Sequence, residues 1–146
     1  MEGDIFNKAW TTTYAIISGN VPDPINRGSK WIWAANPLIG SPTDPSLSYP
    51  IITIDPFTVS SSEPVTFGTN QIETTLATTI EVHDNAGGSR FDAICNDLVK
   101  ALWDNAEEFA KSGLDFMFLS NGVYNQVVLS RTNRIHTKSF GLEFRI

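Results

Sequence analysis

Apolar and polar residues alternate through Gln71–His83, with Ile72, Thr74, Leu76, Thr78, Ile80 and Val82 on one side and Gln71, Glu73, Thr75, Thr79, Glu81 and His83 on the other. A period of two predicts a strand with one buried and one wetted face, the habit of antiparallel sheets. The same alternation returns at the end of the chain, where Phe140, Leu142, Phe144 and Ile146 oppose Ser139, Gly141, Glu143 and Arg145. Between these segments the period lengthens. Phe91, Ile94, Cys95, Leu98, Ala101, Leu102, Asn105 and Phe109 form one stripe, and Asp92, Asp97, Lys100, Asp104, Glu107 and Glu108 lie mostly away from it. That spacing predicts a single amphipathic helix from Ser89 to Lys111. Ser89 and Asp92 have the S-x-x-D capping spacing, and Gly113 follows Lys111 as a stop. At ~1.5 Å per residue the helix extends ~33 Å, about the reach of a ten-residue strand.

The remaining segments are shorter or more broken. Phe6, Trp10, Thr13 and Ile17 recur at helical spacing, so residues 4–18 are expected to form a short helix, ended by Gly19, Asn20, Pro22 and Pro24. Residues 19–48 carry Pro22, Pro24, Pro37, Pro42 and Pro45, which leaves only Lys30–Ala35 as a short strand. Tyr49–Asp55 reads as a strand in which Pro50 fits only a start or an edge. A Ser-rich loop or extended hairpin arm is expected over 56–70. Asp115–Ser120 is an apolar strand, Asn121-Gly122 a tight-turn signal, and Val123–Thr132 the expected antiparallel partner, with a further turn at Asn133. Together these predict one α+β domain over 1–146. It is a mainly antiparallel sheet, with the long helix and the short N-terminal helix on one face, and with long loops or an arm. Such a sheet is open, and its edges need covering, charging or pairing.

Composition narrows the classes of function. The chain has 146 residues, 41% of them hydrophobic, enough for one core without disulfides or metal. Its single cysteine, Cys95, rules out an internal disulfide, and no Cys/His spacing suggests zinc. A net charge of −6 argues against global attraction to nucleic acid or an anionic membrane. The acidic start, Met1-Glu2-Gly3-Asp4, does not resemble a signal peptide, and no apolar run reaches ~20 residues, so a soluble, intracellular product with no membrane partner is expected.

Candidate chemistry is sparse. No nucleophile elbow, zinc-protease helix, phosphate loop or dinucleotide fingerprint occurs. His83, Asp84 and His136 could form an acid–base or metal cluster, or be solvated residues at strand ends. Cys95 lies on the apolar stripe, where a buried structural thiol is expected rather than a nucleophile. Gly87-Gly88-Ser89 before the long helix could cradle an anion, although capping alone accounts for it. Residues 116–130 contain no charge, and Arg131, Arg134 and Lys138 then follow with only Glu143 opposing them. Those three cations are either a solvated hairpin tip or a surface that meets DNA or an acidic neighbour. Trp31, Ile32 and Trp33 either fold back onto the sheet or contact another subunit. A ligand cavity lined by Phe91, Leu98, Phe140 and Phe144 and edged by His83 is a further possibility.

The order of elements resembles that of the tail-terminator, or tail-completion (neck), proteins of tailed phages and related viruses. The likeness rests on the N-terminal helix, the proline-rich passage ending in Tyr49-Pro50-Ile51-Ile52, the strand through Ile80-Glu81-Val82, the helix from Ser89, and the terminal strands. It implies a non-enzymatic virion protein without cofactor, assembled in the host cytoplasm. The expected assembly is a homo-oligomeric ring, sixfold by expectation, between the tail tube protein and the head–tail connector proteins. DNA would pass through it without sequence-specific binding. The head-side connector or adaptor (stopper) proteins of the same neighbourhood are the alternative. In such a ring the sheet edges are consumed by neighbours, and the arm at 56–70, with Phe57 and Phe67, or the loop at 19–48 would wrap an adjacent copy.

Overall fold

A computed structural model describes residues 4–25, 31–34, 49–64, 72–86, 88–120, 122–128 and 134–145. Among these residues three helices and seven strands follow one another as α1 (Ile5–Asn20), β1 (Ile32–Trp33), β2 (Ile51–Ile54), β3 (Thr58–Pro64), β4 (Ile72–Asp84), α2 (Ser89–Asp104), α3 (Ala106–Lys111), β5 (Asp115–Leu119), β6 (Val123–Val128) and β7 (Arg134–Arg145). The fold is α+β, with every strand pair antiparallel except the short parallel contact of β1 with β2.

The two long alternating strands form the centre of the sheet, β4 against β7, in register from Thr75–Arg145 to Asp84–His136. Each is flanked by a row made of two collinear strands. β2 pairs with β4 over Ile80–His83 and β3 over Ile72–Ala77, so residues 51–64 run along a single side of β4. The 55–57 break between them is tied down where the Asp55 N–H donates to the Thr79 carbonyl (3.1 Å) and Thr78 Oγ1 donates to the Asp55 carbonyl (2.6 Å).

The other flank corrects the expected hairpin. β6 does not pair with β5. Both pair with β7, β5 over Leu142–Arg145 and β6 over Arg134–Ser139. The twelve-residue β7 is long enough to take both in succession, so the chain passes through 120–122 without reversing. Residues 129–133, between β6 and β7, lie outside the described residues, and with them the expected turn at Asn133. The expected arm at 56–70 is likewise a sheet strand as far as Pro64, and its remainder, Phe67 included, falls outside the described residues.

The helices pack on one face. Ala9, Ile16 and Ile17 of α1 and Phe91, Ile94, Cys95, Leu98, Ala101 and Leu102 of α2 share a cluster with Ile52, Ile54, Leu76, Ile80, Val82, Phe140, Leu142 and Phe144 of the sheet. Trp10 joins α1 to the sheet by donating its indole N–H to the Ile54 carbonyl (3.1 Å) and stacks on Tyr14. The single helix expected from Ser89 to Lys111 is two helices. At Asn105 the side chain donates to the Ala101 carbonyl (2.7 Å), and the Asn105 carbonyl accepts from the N–H groups of Glu108 and Phe109. The residue closes one helix and opens the next, in keeping with the preference of asparagine for helix ends. The break turns Phe109 into the core, its ring 4.7 Å from that of Phe144.

The expected Ser89 cap is not made. Ser89 is the first helical residue, and Gly88 is the cap, at φ +75°, without a side-chain bond. That backbone conformation suits glycine, and Asp92 still meets the positive end of the helix dipole. The expected stop at Gly113 is present. At φ +85° its N–H reaches the Ala110 carbonyl (2.9 Å), and the Leu114 N–H reaches that of Phe109 (2.9 Å), closing a Schellman motif over two buried apolar residues.

Candidate functional site

The residues singled out for catalysis separate in space. His83 and Asp84 are successive strand residues, so their side chains leave opposite faces of the sheet. Asp84 is fully buried, where it accepts both Nε (2.9 Å) and a terminal NH2 of Arg90, together with the Ala86 N–H (3.0 Å). The carboxylate thereby ties the end of β4 to Arg90 in the first turn of α2. His136 lies with Asp84 on the helix side, with Nδ1 2.6 Å from the Tyr124 hydroxyl and its ring beside Phe91. The two histidines therefore cannot act on one substrate or metal from a common site.

His83 is not a solvated strand-end residue. It is 4% exposed on the face away from the helices, in a row with Ile51, Thr53 and Thr137, all of them buried. Its Nδ1 lies 3.0 Å from Thr137 Oγ1 and its Nε2 3.4 Å from Thr53 Oγ1. Burial pushes the imidazole pKa down to about 4, so the ring is neutral at physiological pH. The wetted face expected for this strand is thus dry at its β2 end. Farther along, Glu81 faces the same side, and its pKa is raised by burial and by the Asp55 charge, against a lowering bond from Ser139. Among the described residues no three His, Cys, Asp or Glu side chains are placed to hold a metal ion.

Cys95 is buried against the core and its thiol is pushed up to about 11 by desolvation, so it stays an inert thiol at neutral pH. The cavity envisaged between sheet and helix is filled by its own lining, since Phe91, Leu98, Phe140 and Phe144 are all buried in the core. His83, which was to edge it, is on the other face.

The candidate interface residues divide. Trp31, Ile32 and Phe57 are buried within the chain, Trp31 at 1% exposure. Trp33 is exposed, because successive residues of β1 face opposite ways and only Ile32 points to the core. Phe67 and Arg131 lie outside the described residues. Arg134 is exposed at the start of β7. Lys138, two positions beyond His136, is half-buried beside Tyr124 and Val82 in register, close enough to Cys95 for its charge to act on the thiol. These two cations share the helix side of β7 and do not project together from a tip.

The exposed apolar surface lies where sequence reading did not place it. Along the outer row formed by β5 and β6, Phe118, Val123, Tyr124 and Val128 are each more than half exposed, and no charged residue occurs from Phe116 to Ser130. Register with β7 sets Tyr124 and Val128 on the helix side and Phe118 and Val123 on the other. Edge strands with so little charge are templates for strand addition, which proteins ordinarily blunt with charge or proline. The absence of charge from 116 to 130 was visible in the sequence, and the signal was assigned to a hairpin rather than to an edge. At the opposite margin, Phe6, Asn7 and Trp10 of α1, Ala34, Pro56 and Phe57 line a groove of about 290 Å³ with no charged side chain. No protein-family model and no curated protein matches the sequence.

Proposed function

We propose that this chain is a non-enzymatic structural subunit of the head–tail neck of a tailed virus, forming a homo-oligomeric ring that ends the tail tube and joins it to the head connector around the DNA channel. The observation that carries the reading is the outer row of β5 and β6, unpaired on its far side among the described residues, free of charge beyond Asp115 and bearing four exposed apolar side chains. A free monomer would expose this edge to aggregation, whereas a closed ring buries it against a sister copy. The order of elements and the dispersal of the candidate catalytic residues point the same way, to architecture rather than turnover. The tail tube protein and the connector proteins are its expected neighbours, and the net charge of −6 suits a wall that DNA must pass without adhering.

Native mass spectrometry and negative-stain microscopy of the purified chain test the reading. A closed ring, six copies by expectation, supports it. A chain that stays monomeric at high concentration, and gains thermal stability from a small metabolite or metal ion instead, overturns it.

A further inference from the structure

We draw no further inference here: the strongest candidate, the cavity of about 510 Å³ where the register of β5 shifts against β7, lined by Thr75, Met117, Phe118, Glu143, Phe144 and Arg145, carries nothing because Thr75 and Arg145 already have partners within the chain and nothing in the structure shows what the cavity would hold.

Discussion

Ser120 and Gly141 clasp each other across the break between β5 and β6. The Ser120 N–H donates to the Gly141 carbonyl (2.8 Å), and the Gly141 N–H donates to Ser120 Oγ (2.9 Å). The serine side chain thereby stands in for a missing rung of the ladder between β5 and β6. The exchange also requires glycine at 141, where a Cβ would lie 2.6 Å from Ser120 Oγ.

Gly141→Ala should accordingly destabilise the fold by about 1–3 kcal/mol. Adding Ser120→Ala removes the clashing oxygen, and the Ser120 Cβ stands 3.7 Å away, an ordinary contact. The double variant is expected to be less destabilised than the sum of the single ones. Urea melts of the four proteins measure the coupling, and strict additivity would refute the clasp.

The buried Asp84 depends on Arg90. Arg90→Ala leaves a carboxylate at 0% exposure with the Ala86 N–H and without its cation, an expected loss of about 2–4 kcal/mol. Asp84→Asn in the same protein should recover part of that loss, since a neutral amide needs no counter-charge. Denaturant midpoints compare the two. Equal stability of parent and Arg90→Ala would show that the guanidinium contributes nothing.

His83 predicts an acid limb in the stability profile. Its pKa falls to about 4 on folding, so the stability it lends is complete above its ordinary value near 6.5 and drains away as pH falls from there through about 4. The full effect is on the order of 3 kcal/mol at about 1.36 kcal/mol per unit. Glu81 and Asp55 act in the opposite sense. Their raised pKa values favour the fold at low pH, and that contribution is lost as pH rises through them. His83→Gln should therefore flatten the melting temperature between about pH 6.5 and 4.5, while Glu81→Gln should raise it at neutral pH and leave it unchanged in acid. An unaltered slope in His83→Gln would sink the assignment.

Trp31, just before β1, and Trp33 within it should behave differently. Trp31→Ala removes a ring at 1% exposure and is expected to cost about 3–5 kcal/mol. Trp33, at 40% exposure, should tolerate alanine within about 0.5 kcal/mol. Thermal melts separate the two, and equal losses would place both rings in the core.

Much of the fold was legible because it is written in local periodicity. β4, β7 and the apolar stripe of α2 each repeat at the spacing of their own backbone, and alternation alone separates Phe140, Leu142 and Phe144 from Ser139, Gly141 and Glu143. The Lys111–Gly113 stop and the burial of Cys95 followed from the same local logic. The candidate surface was less legible. An uncharged run from 116 to 130 signals burial or pairing without saying against what, and three residues proposed for contact, Trp31, Ile32 and Phe57, belong to the core.

By itself, then, the sequence determined that the two long alternating segments are strands and the apolar stripe between them helical, and which side of each long strand is apolar. Tertiary structure alone decided that β6 pairs with β7 and not with β5, that His83 and His136 lie on opposite faces, and that the second face of the sheet is dry around Ile51 and Thr53. The physical reason is range. Periodicity is a property of neighbours within a few residues, whereas strand partners and covered faces depend on groups dozens of positions apart competing for the same backbone bonds and the same buried area.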